Sequence, residues 1–446
     1  MNKNHGLLAT LLAIMLVAAM MLTLSACNQS ETNGTTAPDQ GTEAPTTSTE
    51  DDGTLKIKGD MLSWDLINSV PVKTANMDIT AARKICVDFF RISKNALWIS
   101  DSKYEAKKDD KVVRSMEADT IYGGLPYITR SNGNIYRLMD YINPQTGVVD
   151  VQAAGKVQEL FGNQCSAASY WGWARVINSA KFDWTQLMIH KNGFLRVGPY
   201  SYDDTVDSFS DDFRTREILK EHGNQTMYQA YAQLKAGDGL LYYTTAGHAA
   251  MVATDAHVEY KADGTIDPSK SYVYIIDQAG EWITDTNEAG DTYIYSSNTD
   301  AKWTFITMFN KQYIPFSFAE FLGTDPIEET EVSFSHTGDT ITMAQIRAGK
   351  ITCNYNLSDA YAIVKDAQGN EVYKLAVRPE HLNIKELVFG DENEVDDPDD
   401  GIDPKDYRVE WGTVESLNNT KEYTVEIVVQ IATGERPTLW TGKLAW

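Results

Sequence analysis

The chain has 446 residues, a formal net charge of −24, and 42% hydrophobic and 11% aromatic content, which excludes a fully disordered protein and allows about three domains. Lys and Arg number 39 against 63 Asp and Glu, so no overall basic field attracts phosphate backbones and nucleic acid is not an expected partner. Four cysteines over this length cannot form a scaffold of disulfides, so each is read by its own position.

In chain order, Lys3 precedes an apolar run from Leu7 to Leu24, which ends in Leu24-Ser25-Ala26-Cys27. A charged start, an apolar stretch and small residues before a cysteine predict a signal peptide over residues 1–26. The four-residue ending resembles the lipobox of bacterial lipoproteins. That resemblance implies that Cys27 is diacylated and becomes the mature N-terminus. An uncleaved anchor is the alternative, because the run approaches the ~20 residues that span a bilayer. Either way the expected location is the extracytoplasmic face of the cell membrane. Asn28 to Gly53 is rich in Thr, Ser, Gly, Pro, Glu and Asp and cannot bury enough surface to offset its ordering entropy, so residues 27–54 are predicted to be a flexible tether.

Residues 55–151 carry one strong helical pattern, Ile79 to Lys94, with Ala82, Ile85, Cys86, Phe89 and Ser93 at helical spacing and Asp78 or Thr80 as the cap. Cys86, among apolar neighbours, is expected to be a buried structural thiol. Tyr122-Gly123-Gly124-Leu125-Pro126-Tyr127 is a Gly-Gly loop between aromatics, suited to line a groove or to make a turn.

From Gln152 the pattern is a helix, then a polar and aromatic stretch, then strands at Leu240–Thr244, His248–Thr254, Ser271–Asp277 and Asp291–Ser296. A helix followed by an antiparallel sheet is an α+β plan. Ser317 and Glu320 form a candidate capping box for a helix ending near Leu322, with Gly323 as its stop. Residues 326–446 hold short alternating runs, among them Ala360–Lys365, Glu371–Ala376 and Tyr423–Ile431, and are predicted to be a β-sandwich. Cys353 is expected in its core. The acidic segment Asp391 to Asp406 is predicted to be a solvated loop; its spacing does not match an EF-hand, although calcium could bind such oxygens.

The candidate chemistry lies in Gly162-Asn163-Gln164-Cys165-Ser166-Ala167-Ala168-Ser169-Tyr170-Trp171-Gly172-Trp173. Gly162 and Asn163 offer a loop and a cap, and Ala167, Tyr170, Trp171, Ala174 and Ile177 share one helical face, which puts Cys165 in the first turn. The free N–H groups and dipole there favour a thiolate. A buried packing role is the competing reading. A thiolate nucleophile needs a proton-transfer partner, and histidine is best suited near neutral pH. Of seven histidines, His5 lies in the signal peptide and His222, His336 and His381 lie in polar stretches. His248 differs: it follows Gly237-Asp238-Gly239-Leu240-Leu241-Tyr242-Tyr243 and Gly247, and opens the small-residue strand Ala249-Ala250-Met251-Val252, which leaves room for a close neighbour. His190 and His257 are the alternatives.

Cys-Ser at a helix start, a Gly-Asp-x-Leu-Leu-Tyr-Tyr strand and Gly-His opening the next strand resemble the NlpC/P60 and CHAP-type branch of papain-like cysteine peptidases and amidases, over about Gly162 to Gln278. The resemblance implies a papain-like domain over residues 55–325, with a helical N-terminal extension and a core at 152–323. It implies Cys165 as nucleophile, His248 as general base and acid, and a polar residue on the next strand to orient the histidine. Asp277 is first choice for that third role and Gln278 second. Gln164 stands where that family has an Asp that recognises a free substrate amine, and the aromatic Gly-Gly motif lies farther upstream than is usual, so the chain reads as a divergent member.

The expectation is therefore a lipid-anchored thiol hydrolase that cleaves amide bonds in cell-wall peptide or another extracytoplasmic peptide and uses no cofactor or metal. Gln164 would support the oxyanion, and Tyr122, Tyr127, Trp171 and Trp173 would wall the groove. An acyltransferase using the same thioester and a non-catalytic surface-binding lipoprotein are the competing classes.

Overall fold

The computed structural model describes residues 60–108, 111–129, 131–155, 162–181, 193–202, 214–244, 247–287, 290–379, 382–390 and 408–446. The signal peptide, Cys27, the tether, His190, His381 and the Asp391–Asp406 segment lie outside the described residues. Among those described, no helix is long and apolar enough to cross a membrane.

Helix α1 (Ile79–Asn95) forms where the periodicity predicts it. The Asp78 carboxylate caps it by accepting the Ala81 N–H at 3.0 Å, and Ala82, Ile85, Cys86, Phe89 and Phe90 are buried. The chain turns directly into β1 (Leu97–Ser100), then makes a separate hairpin of β2 (Tyr104–Lys108) and β3 (Lys111–Met116), before β4 (Ile121–Gly123) and β5 (Val148–Val149). Helix α2 (Cys165–Trp173), β6 (Phe194–Arg196), helix α3 (Thr215–Tyr231), β7 (Gly239–Tyr243), β8 (Gly247–Val252), β9 (Tyr272–Thr286), β10 (Thr292–Thr304) and β11 (Ile314–Phe318) follow.

These strands make one nine-stranded sheet in the order β5-β1-β4-β10-β9-β8-β7-β11-β6. The fold is mixed α+β with several sheets and few helices. The N-terminal extension is not simply helical, as the sequence suggested. It contributes β1, β4 and β5 to the main sheet, and β4 runs parallel to β10 and β5 parallel to β1. These strands are too short to show alternation. Gly124 makes the turn possible: its φ is +62°, and a Cβ there would lie 2.5 Å from the Lys94 carbonyl oxygen.

Two further expectations change. Strands β9 and β10 run well beyond Asp277 and Ser296, pairing with each other as far as Thr286 and Thr292 with two register shifts. Beyond Gln278 no residue of β9 is buried, and beyond Ser297 β10 buries only Trp303 of its hydrophobic residues, so no apolar run marks these extensions. Ser317 and Glu320 do not form a capping box. The helix Ala319–Leu322 does end at left-handed Gly323, but Ser317 donates to Asp238 at 2.6 Å and Glu320 accepts the N–H groups of Asn178 and Ser179.

Helix α2 packs on α1, β8 and β9. Gly172 permits this approach, since a Cβ there would lie 2.8 Å from Met251 Cε and 3.1 Å from Phe90 Cβ.

Among the described residues beyond 330, strands predominate, with one short α-helix at Met343–Arg347. A three-stranded sheet contains β12 (Val332–Phe334), β14 (Lys350–Cys353) and β17 (Glu386–Val388). A six-stranded sheet contains β13 (Thr340–Thr342), β15 (Leu357–Lys365), β16 (Glu371–Val377), β18 (Arg408–Trp411), β19 (Thr424–Ile431) and β20 (Thr438–Ala445). Both sheets feed one apolar cluster that includes Ile351, Cys353 and Leu387 from the first and Val364, Leu375 and Ile427 from the second.

This strand-rich part is joined to the rest by buried charge, and residues 57–446 form one compact unit. Arg137 Nε meets Asp359 Oδ1 at 3.0 Å, and Arg137 Nη2 donates to the carbonyls of Ser358 (3.0 Å) and Pro379 (2.7 Å). Asp140 accepts from Arg378, from Lys374 at 3.2 Å and from Tyr361 at 3.1 Å. The Arg137 and Asp359 side chains are 2% and 0% exposed. Removing one charge of such a set strands the others without water. Asp359→Asn is therefore expected to destabilise the protein by about 3–5 kcal/mol in denaturant unfolding; a loss below about 1 kcal/mol would show the network to be dispensable.

Candidate active site

Cys165 is the first residue of α2, and Gln164 caps the helix with extended backbone. The N-cap expected at Asn163 is shifted by one residue, because the Asn163 amide is engaged elsewhere. Gln164 makes no capping bond through its side chain, while its N–H donates to the Ser131 carbonyl at 3.0 Å and its own carbonyl accepts the Ala168 N–H at 2.9 Å. Both contacts fix the loop that delivers the thiol. Cys165 is 4% exposed.

His248 stands at the start of β8, opposite Tyr242 in the antiparallel register with β7. The ring acts on the Cys165 thiol by charge and hydrogen bonding. Nε2 lies 2.9 Å from Asp277 Oδ2 on the neighbouring strand β9. Asp277 is held in turn: its Oδ1 accepts the backbone N–H of Asn298 at 3.1 Å and the Asn298 side-chain amide at 2.8 Å. Asn298 faces Asp277 across the β9–β10 pairing. Three consecutive strands and one helix start thus carry the chain Cys165, His248, Asp277, Asn298.

The electrostatics follow from this geometry. Burial alone would raise the Cys165 thiol, but the facing His248 charge and hydrogen bond, with the backbone N–H groups of Ala249 and Ser166, outweigh it and hold the thiol below its ordinary value. Burial disfavours the His248 cation, yet Cys165 and Asp277 on its two sides hold it well above the ordinary imidazole range. The direction for both is a thiolate–imidazolium pair. The other described cysteines behave oppositely: burial pushes Cys86 far up, and pushes Cys353 up to about 11.

Asp277 takes the third position, while Gln278, the second choice, does not reach the histidine. It is fully buried, accepts from Lys94, and donates to the Leu125 carbonyl at 3.1 Å and Ser296 Oγ at 3.2 Å. The alternative His257 is stacked on Tyr272 near Glu259.

The predicted groove is corrected in large part. Trp173 is fully buried, donates its indole N–H to the Gly237 carbonyl and packs on Phe316 and Phe318. Tyr122, 3% exposed, stacks on Trp98. Trp171 is 4% exposed, its indole N–H bound to the Asn132 carbonyl. Aromatic residues beside a small-residue helix filled the core. Tyr127 alone of the four is half-buried, with its backbone N–H on Ser296 Oγ and Arg114 over its ring. The residues that flank His248 are Tyr313, edge-on at 6.3 Å between ring centroids, and Tyr242 behind it at 5.8 Å. Tyr242 was readable in the Leu-Leu-Tyr-Tyr strand as the cross-strand neighbour of His248. Nothing local marked Tyr313 or Asn298. Among the described residues, no three His, Cys, Asp or Glu side chains converge as a metal-binding set.

No family model, no curated protein and no solved structure matches this chain.

Because the Cys165 thiol is lowered, its thiolate persists as pH falls below the ordinary thiol value of ~8.5. In the native protein at neutral pH, iodoacetamide is expected to modify Cys165 well before Cys86 or Cys353, followed by peptide mass mapping. Equal sluggishness at all three would contradict the ion pair.

Proposed function

We propose that the protein is a thiol hydrolase of amide bonds with a papain-like catalytic domain, a β-sandwich over residues 326–446, and a lipid anchor at Cys27 that holds it on the extracytoplasmic face of the membrane. The observation that carries this reading is the hydrogen-bonded series Cys165, His248, Asp277 with the thiol at a helix start and held below its ordinary value. It agrees with the resemblance to NlpC/P60-type enzymes. The substrate class favoured by that resemblance and by the anchor is cell-wall peptide.

In the proposed reaction the Cys165 thiolate attacks the amide carbonyl carbon, forming a C–S bond while the carbonyl π pair moves to oxygen. The backbone N–H of Cys165, at the helix start where first-turn N–H groups lack intrahelical partners, would receive that oxyanion, with the Gln164 side chain as second donor. His248 then gives its proton to the leaving nitrogen as the C–N bond breaks, which frees the amine and leaves a thioester. Water attacks the thioester, His248 takes the water proton, and the C–S bond breaks to return the thiolate and release a carboxylic acid. Asp277 keeps the imidazole oriented and its charged form stable, and Asn298 keeps Asp277 aimed.

Purified peptidoglycan incubated with wild type and with Cys165→Ala, and analysed by mass spectrometry, tests the reading. Wild type is expected to release peptide fragments carrying the mass of one added water, with product formation lowered about a thousandfold or more in Cys165→Ala. Products that gain an amine instead of water would assign acyl transfer. Equal products from both proteins, or none from wild type, would defeat catalysis on this substrate.

A further inference from the structure

Lys94, in the last turn of α1, takes no part in the chemistry above, yet it is one of the most confined side chains in the molecule. It is 1% exposed, with Nζ 5.8 Å from the Phe90 ring centroid. Nζ donates to Asn163 Oδ1 at 3.0 Å and to Gln278 Oε1. Asn163 lies two residues before the nucleophile, and Gln278 directly follows the triad aspartate. Both acceptors are themselves anchored. Asn163 Nδ2 donates to the Gly133 carbonyl at 3.2 Å and its backbone N–H to the Pro126 carbonyl at 3.1 Å. Gln278 Nε2 holds the Leu125 carbonyl and Ser296 Oγ. The main chain next to Lys94 closes the circuit, since the Leu125 N–H donates to the Ser93 carbonyl at 3.2 Å and the Gly124 N–H to the Ala96 carbonyl at 2.9 Å.

A lysine this deeply buried is ordinarily paired with a carboxylate. Here its hydrogen-bond acceptors are two neutral amides, and Asp277 on β9 is the charged group acting on it from nearby. Burial pushes its pKa down to about 7, against the opposing pull of Asp277. Methionine of similar length would fill the space without that desolvation cost. What methionine lacks is directionality: an ammonium group requires acceptors at set positions, and these two belong to the loop that delivers the thiol and the strand that delivers Asp277.

We propose that Lys94 is a positioning residue for the Cys165–His248–Asp277 site, tying the nucleophile loop through Asn163 to the aspartate strand through Gln278 and so fixing the spacing at which thiol and imidazole meet. The inference rests on the reading of Cys165 as a thiolate nucleophile. Losing the tie loosens the thiol–imidazole contact, and a looser contact weakens the thiolate.

The test is the rate of iodoacetamide alkylation of Cys165 as a function of pH, in wild type, Lys94→Met and Gln278→Leu, each checked by circular dichroism for native structure. Wild type is expected to show a midpoint on the acid side of the ordinary thiol value. Lys94→Met should move the midpoint up by at least about one unit, a tenfold loss of rate at a fixed acidic pH. Gln278→Leu, which cuts one arm of the tie and leaves Lys94 in place, should move it in the same direction by less, and it carries the test should Lys94→Met fail to fold. An acid-shifted wild-type midpoint that the folded variants retain overturns the positioning role and leaves the catalytic reading intact. A wild-type midpoint at the ordinary thiol value overturns both.

Discussion

The thiol of buried Cys165 faces the partly exposed ring of His248, and charge on this pair is sustained only if the neighbouring polar atoms are held in place. An isolated buried charge is far costlier than one matched by a partner and by directed hydrogen bonds. The surrounding structure supplies that match in layers. The N–H groups of Ser166 and Ala249 face the sulfur, Asp277 faces the ring, and Asn298 holds Asp277 with two bonds. The order of β8, β9 and β10 in the sheet brings these side chains into line across neighbouring strands.

The same constraint explains the scaffold around the site. Helix α2 approaches the sheet closely because Gly172 and the alanines of β8 present no bulk. Farther upstream, the chain at Asn134 to Arg137 is fixed to the strand-rich part beyond residue 330. Asn134 donates to Ser358 Oγ at 2.9 Å, and Arg137 is surrounded by Asp359, Ser358 and Pro379. The strand-rich part beyond residue 330 therefore buttresses the part that carries Cys165 and His248. A ligand-binding role for it would have to use surface away from this junction.

Much of the site was legible because its chemistry needs local signals. Cys165 at a helix start, His248 after Gly247 and before alanines, and Asp277 at the end of an apolar run each combine residue type with an element boundary. The helix Ile79–Asn95 and the strands β15 and β16 were legible for the same reason, through their periodicity. What was hidden depends on contacts far apart in sequence. The periodicity that marks Ile79 to Lys94 says nothing of what Lys94 meets, and no local signal singles out Asn298 or the strands β1, β4 and β5, because each acquires its role only from strands that arrive later in the chain. The aromatics misled in the opposite direction. Trp171 and Trp173 adjoin the nucleophile in sequence, but helical geometry turns them into the core.

A resting thiolate at Cys165, sustained by His248, underlies the proposed chemistry. Ultraviolet thiolate absorbance, titrated from about pH 5 to pH 8 on the native protein, measures this without any substrate. The expected result is the absorbance of one thiolate well below the ordinary thiol midpoint, absent in Cys165→Ser and shifted to higher pH in His248→Ala. A native protein with no thiolate in that range, or one whose thiolate survives Cys165→Ser, would contradict it.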